Sequence, residues 1–439
     1  MGKILCPILI LICLGLLKGA WLQTSAQTSG VEGHWNGVMI REGAELNVSF
    51  DFTREANAVR ASFNSPSQRA IGIPLQKVAY AAPKIHFELV GDETRVVFDG
   101  QLNGNTISGQ FHEGTGQGTF SLTRADVLPP AFQEEEVTFK NGDVVLSGTL
   151  ELPLTKGPHP AVVFLHGSGP EGRYASRFLA QYFAQHGIAA LIYDKRGVGK
   201  SKGDWQQSDF IALADDAISG IHLLQKRSDI TPKEIGVYGH SQGGSLAPLV
   251  AAKSREVAFV IAAAGSGVPM YEAEINSLTN QERENGVSGD DLSSASEYIR
   301  MLVNVARTGE GHEQLDAATA RAGVAKWLKF LGPPSKDHYW WAFFRRIADY
   351  DPALYWQKVT APALLIYGEH DILVPVAPSI ANIERSLVSA RNQDYTILIL
   401  PRASHGLNIN PEPGQPFEWW HMASGYPELL SAWINERMK

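Results

Sequence analysis

Two periodicities divide the chain. In residues 30–124 apolar positions recur every second residue, as in Leu46, Val48, Phe50 and Phe52 with Asn47, Ser49 and Asp51 between them. That is the period of strands with one buried face. Gly, Asn and Asp punctuate the runs, and Asn103-Gly104 marks a hairpin turn. No stretch of ten residues has a helical period, so a small antiparallel barrel or sandwich is predicted. It would serve as a small-ligand binder or as a structural or substrate-presenting accessory, and no residue in it announces chemistry. Residues 125–135, with Pro129-Pro130 and the charged Glu134-Glu135, read as a linker.

From residue 136 the pattern changes. After a hairpin around Asn141-Gly142-Asp143 come near-continuous apolar runs: Ala161–Leu165, Ala189–Tyr193, Ile235–Tyr238, Phe259–Ala263, Ala363–Tyr367 and Thr396–Leu400. Helical segments separate them. Strands that are apolar throughout belong to a parallel sheet covered on both faces, so 136–439 is expected to be an α/β domain. Between about 266 and 355 the strands stop and helical periodicity takes over. An insertion of that length is too long for a loop and is predicted to be a helical cap. Its aromatic residues, among them Trp327, Phe330, Tyr339, Trp340, Trp341, Phe343 and Phe344, suit either an enclosed apolar substrate group or the cap's own core.

The first 26 residues differ again. Lys3 precedes the apolar stretch Ile4–Leu17, and Thr24 and Ala26 are small residues before Gln27. This is the layout of a cleaved signal peptide, and the stretch is shorter than the roughly 18–20 residues that span a bilayer. Export to a periplasmic or extracellular location is expected, without stable membrane insertion afterwards. Both cysteines, Cys6 and Cys13, lie in this segment. The mature chain would then hold no disulfide, cysteine ligand or cysteine nucleophile. Removal of Lys3 and Lys18 takes the formal net charge from −8 to −10, which argues against nucleic acid as a partner. No H-E-x-x-H or other clustered ligand spacing appears, and neither a metal nor another cofactor is expected.

Chemistry enters at Gly239-His240-Ser241-Gln242-Gly243, a G-x-S-x-G pattern that lifts a serine above a sheet on a sharp strand-to-helix turn. With 42 glycines, chance matches occur, and Gly199-Lys200-Ser201-Lys202-Gly203 is a second. Context separates them. Ser241 follows the strand Ile235–Tyr238 and precedes an apolar helix (with Pro248 as a mild objection), whereas Ser201 lies in a polar glycine-rich loop. A serine hydroxyl needs a base, and the base an orienting acid, from the ends of later strands in the order Ser, Asp/Glu, His. Asp371, in Gly368-Glu369-His370-Asp371, is the expected acid, with Glu369 the alternative. His405, in Ser404-His405-Gly406, is the expected base among 13 histidines, with His421 beside Trp419-Trp420 the alternative. The oxyanion of a tetrahedral intermediate needs donors. The Gln242 amide and, in His166-Gly167-Ser168-Gly169 after the third strand, the Ser168 amide are expected to supply them.

The four segments around His166, Ser241, Asp371 and His405, together with Tyr193-Asp194-Lys195-Arg196-Gly197-Val198-Gly199-Lys200-Ser201, resemble bacterial α/β-hydrolases over residues 136–439. They are most similar to exported carboxylesterases related to the dienelactone hydrolase and prolyl oligopeptidase groups. They also resemble the C-terminal domain of bile-acid acyltransferase-type thioesterases. The resemblance implies the α/β-hydrolase fold and an acyl-enzyme ester hydrolase acting on small-molecule esters, with Asp194 and Arg196 as scaffold. Ser241 stands where acyltransferase relatives carry cysteine, which favours hydrolysis over transfer. A serine peptidase or amidase of prolyl oligopeptidase-like type is the alternative, and a binding protein on an inactive scaffold the third reading. Expressed in an exporting bacterial host, the protein should begin at Gln27 by intact mass; a product retaining residues 1–26 would contradict the signal-peptide reading.

Overall fold

The computed structural model describes residues 30–438 except 57, 92–94 and 413. The expected signal peptide 1–26, with Cys6 and Cys13, lies outside the described residues. Nine antiparallel strands among the described residues, from Gly33–Arg41 to Gly116–Ala125, form one sheet. Its edge strands Ala70–Pro74 and Gln76–Ala81 are consecutive in the chain, so the sheet nearly closes. The Leu75 N–H donates to the Ala61 carbonyl across the join (2.9 Å). In Ala44–Glu55 the alternating Leu46, Val48, Phe50 and Phe52 point inward. They meet Phe87, Phe98, Phe111 and Phe120, all fully buried, with Phe87 stacked on Phe98 at 4.7 Å and Phe50 tilted against Phe87 at 5.2 Å. Each such ring contributes about 1.5–3 kcal/mol on burial. The middle of the barrel is therefore filled with side chains, and a cavity of about 690 Å³ is lined by its residues Met39, Leu46, Phe63 and Val96 together with Trp419. The hairpin foreseen near Asn103-Gly104 pairs Asn103 with Thr106, so its two-residue loop is Gly104-Asn105.

The predicted linker is shorter than 125–135. Strand Phe132–Asn141 pairs antiparallel with Val144–Pro153, and the second sheet begins there, not at residue 136. Glu134, Glu135 and Glu136 lie in this edge strand and pair with Arg177 (2.6 Å), Arg227 (2.8 Å) and Arg173 (2.7 Å). A ladder and three arginines brought from elsewhere in the chain order a segment whose composition alone reads as solvated.

The second sheet has eight strands, the two at its start antiparallel. Ala189–Tyr193, His159–Leu165, Ile230–His240, Val260–Ala263, Ala363–Gly368 and Tyr395–Leu400 follow in parallel. The six apolar runs thus become the parallel strands of an α/β-hydrolase sheet. Alternate residues serve opposite layers. Val162 and Phe164 pack with Phe183, Tyr426 and Leu430 of helices Arg177–Gln185 and Tyr426–Arg437. Val163 and Leu165 pack with Leu213, Leu246 and Leu387 on the other face. Asp209 starts helix Phe210–Gln225 by accepting the Ala212 N–H (2.8 Å).

Between Val260–Ala263 and Ala363–Gly368 the chain is helical, as foreseen for the cap. Helix Gly289–Thr308 buries Tyr298, Ile299, Leu302, Val303 and Ala306 at helical spacing and ends on Gly309 in the left-handed region (φ 78°). Tyr350 ties the cap to the sheet domain, donating its hydroxyl to the Ser245 carbonyl (2.8 Å). Pro248 lies inside helix Gln242–Lys253, where it removes one helical rung.

The barrel docks on the segment that follows His405. Arg69 Nη2 donates to the Gly406 carbonyl (2.7 Å) and to Asn408 Oδ1 (2.9 Å), and Gln68 donates to the Trp420 carbonyl (3.2 Å). In return Trp419 donates its indole N–H to the Ala44 carbonyl (3.1 Å), with its ring 6.1 Å from Phe111. A charged donor in two hydrogen bonds is worth about 1.5–3 kcal/mol. Arg69→Ala should destabilise the protein by about that amount in urea unfolding, with new protease cleavage confined to 402–424. Unchanged stability and digestion pattern would contradict this docking.

Candidate functional site

Strand Ile230–His240 and helix Gln242–Lys253 meet at Ser241, whose backbone is at φ 57°, ψ −118°. A non-glycine residue held there stores about 1–3 kcal/mol, which the surroundings must impose. They do so by close packing. A Cβ at Gly239 would lie 2.1 Å from the Gly243 carbonyl oxygen, and one at Gly243 would lie 2.6 Å from that of Leu165. The Ser241 N–H donates to the Ala263 carbonyl (2.9 Å), which fixes the turn against the next strand.

The structure brings Ser241, His405 and Asp371 together. His405 Nε2 is 2.8 Å from Ser241 Oγ, and its Nδ1 is 2.9 Å from Asp371 Oδ2. The Asp371 side chain is fully covered, and its other oxygen accepts the N–H groups of Leu373 and Val374 (both 2.9 Å). With both carboxylate oxygens occupied, the acid cannot rotate without losing a partner. His240, next to the nucleophile, donates Nε2–H to the His405 carbonyl (2.9 Å). Desolvation, with His405 as a like-charged neighbour, pushes the His240 pKa down to about 3, so it is a neutral strut.

The expected oxyanion donors line the same cavity as Ser241 and His405. Gln242 is the first residue of its helix, where a backbone N–H has no intrahelical partner. Neither its N–H nor that of Ser168 has an acceptor among the described residues. The neighbouring Gly167 N–H is already bonded to Glu171 Oε2 (2.6 Å), which leaves Ser168 as the available amide of that loop.

Sequence reasoning missed Lys195. Its side chain is buried, and Nζ donates to the carbonyls of Gly167 (2.8 Å) and Gly169 (2.9 Å) and to Gln242 Oε1 (3.1 Å). One ammonium therefore clamps the backbone on both sides of Ser168 and the side chain of Gln242. Desolvation, opposed by nearby Glu171, pushes its pKa down to about 8. The signal available in sequence was a lysine inside an otherwise structural turn, Asp194-Lys195-Arg196. Asp194 pairs with Arg173 (3.0 Å) and Arg196 with Asp216 (2.6 Å), both buried, as scaffold pairs do.

The alternatives lie elsewhere. His421 sits in the short hairpin Asn408–Ile409/His421–Met422 with its ring against the Met422 carbonyl (2.9 Å). Glu369 is exposed and accepts the Arg402 N–H (2.9 Å). Ser201 is buried and donates to the Asp194 carbonyl (2.6 Å). The cap aromatics divide by place. Tyr339, Trp340, Phe343 and Phe344 line the cavity beside Ser241, of about 310 Å³. Trp327 and Trp341 belong to the cap's own core, against Tyr298 (5.3 Å) and the Ser335 carbonyl (3.0 Å).

A family model described as serine aminopeptidase, S33, matches residues 156–285. Thiohydrolase apmlB of Arthrinium phaeospermum is 33% identical over 253 residues, covering 54% of this chain and 80% of the relative. The quorum-quenching protein AidA of Acinetobacter baumannii is 30% identical over 246 residues, 55% of this chain and 79% of AidA. Esterase EstD of Thermotoga maritima is 28% identical over 255 residues. The matched segment there is 56% of this chain but spans only about half of EstD, 54%.

Lys195→Met should slow fluorophosphonate labelling of Ser241 by about 10–100-fold, the scale on which oxyanion donors act. Above pH 8 the neutral amine has two N–H donors for three acceptors. The wild-type rate should then fall relative to a control hydrolase, and this fall should be absent from Lys195→Met. Equal rates and equal pH profiles would contradict the clamp.

Proposed function

The chain belongs to the α/β-hydrolases, and we propose that it hydrolyses carboxylic esters through an acyl-enzyme on Ser241. The observation that carries this reading is the single imidazole of His405 within 2.9 Å of both Ser241 Oγ and Asp371 Oδ2, beside two amides without acceptors among the described residues. His405 Nε2 takes the Ser241 proton as Oγ attacks the ester carbonyl, and Asp371 stabilises the imidazolium. The Ser168 and Gln242 N–H groups hold the oxyanion. Collapse expels the alcohol, which takes its proton from His405, and water repeats the cycle on the acyl-enzyme. Tyr339, Trp340, Phe343 and Phe344 at the cavity favour a substrate with an apolar or aromatic group. EstD, named an esterase, supports the ester reading. An exported location goes with this proposal and rests on the pattern of residues 1–26.

The family model's name points to aminoacyl amides, which the same groups could attack, so both substrate types enter the test. The mature protein is labelled with a fluorophosphonate and assayed on short- and long-chain nitrophenyl esters and on aminoacyl amides. Labelling at Ser241 and turnover of esters are expected, with Ser241→Ala lowering turnover by roughly 10⁴-fold or more. Absence of labelling overturns the enzyme reading. Turnover of amides but not esters replaces it with a peptidase.

A further inference from the structure

The cavity beside Ser241 has a charged group in its apolar wall. Helix Met270–Glu284 presents Met270, Ala273, Glu274 and Ser277 to it, an i, i+3, i+4, i+7 face. On such a face an amphipathic helix carries apolar side chains, and Glu274 breaks that pattern. Trp340, Phe344, Leu373 and Val374 line the same cavity. The half-buried Glu274 carboxyl has no hydrogen-bond or ion-pair partner among the described residues. Desolvation is the sole cause that pushes its pKa up to about 7. The buried carboxylates Asp194 and Asp216, by contrast, each have an arginine. A desolvated carboxylate without a partner is costly, and none of the described residues offsets the cost.

Nor can the helix easily carry Glu274 away. Asn280 Nδ2 donates to the Ile372 carbonyl (2.9 Å) and Asn276 Nδ2 to that of Leu373 (3.4 Å), so the helix is fastened to the loop that follows Asp371. The carboxyl is thus held in the wall of the cavity that contains the Ser241 hydroxyl.

We propose that Glu274 is a substrate-binding residue for a cation, and that the preferred substrates are esters carrying an alkylammonium group. The inference rests on the reading of Ser241 as an esterase nucleophile. An ammonium in the cavity would supply the counter-charge that the chain does not, while Trp340 and Phe344 offer aromatic faces that also attract cations. A volume of about 310 Å³ lies at the low end for ligand pockets, which suits a compact cationic group.

The test uses two pairs of esters matched in shape: nitrophenyl ε-aminohexanoate against heptanoate, and the acetates of choline and of dimethylbutanol. Rates are expressed per Ser241 titrated with fluorophosphonate. In at least one pair kcat/KM should favour the cation by about 10-fold or more, the range of a charge-assisted contact. Glu274→Gln should bring that ratio near one, and Glu274→Lys should invert it. Hexylammonium, but not hexanol, should slow labelling of the wild-type protein, a readout that needs no variant. Ester turnover without cation preference in either pair, or a preference that survives in Glu274→Gln, overturns this proposal alone. Labelling of Ser241 without turnover of any ester overturns the esterase reading and this proposal with it.

Discussion

The His405 imidazole must meet two oxygens at once, and most of the surrounding structure serves that demand. Hydrogen bonds of 2.8 and 2.9 Å weaken steeply with misalignment, yet the three side chains come from the ends of three different strands. The sheet places those ends along one side, with Val260–Ala263 between the strands that precede Ser241 and Asp371. The acid and base loops then touch directly: a Cβ on Gly368 would lie 2.3 Å from the carbonyl oxygens of both Ala403 and Ser404. The His370 N–H donates to the Ala403 carbonyl across this contact (2.9 Å). His240 closes the arrangement from the nucleophile side. Each loop is thus positioned by a group belonging to another, and the imidazole inherits its place from all three.

The oxyanion side follows a different principle. Asp194, Lys195 and Arg196 are consecutive charged residues, all buried, and each faces a different partner. Asp194 and Arg196 each find an opposite charge, whereas Lys195 spends its donors on carbonyls and an amide oxygen. Desolvation lowers its proton affinity, while its bonds to the Gly167 and Gly169 carbonyls pin the backbone on both sides of Ser168. Rigid donors are what an oxyanion site needs, since donors that must reorganise during reaction contribute less.

What was legible in the sequence was what repeats or follows chain order. Runs such as Ala161–Leu165 announced strands buried on both faces, and alternation such as Leu46 to Phe52 announced the barrel. The order of Ser241, Asp371 and His405 could be read because each follows the end of a recognisable strand. Glu134–Glu136 misled because their arginine partners are 43, 92 and 37 residues away and exert no local pattern. Lys195 and Glu274 were missed for a related reason. A lysine that clamps carbonyls and a lysine in water look alike in sequence, as do a carboxylate in a cavity and one on a helix surface. Burial and partners distinguish them, and both are properties of the fold.

The barrel's part in this arrangement follows from the shape of the base loop. Between Leu400 and Tyr426 the regular structure consists of the two-residue strands Asn408–Ile409 and His421–Met422, yet this stretch carries His405. So long a segment has few backbone bonds of its own to order it, and loops of that length are uncommon in compact domains unless they are functional or tied down. Here the ties come from residues more than 300 positions earlier: Arg69 on Gly406, Gln68 on Trp420, and Ala44 beneath Trp419. The phenylalanine-packed middle of the barrel makes it a rigid body suited to this use. The loop that carries His405 is ordered through tertiary contacts with another domain, where secondary structure would otherwise have done so.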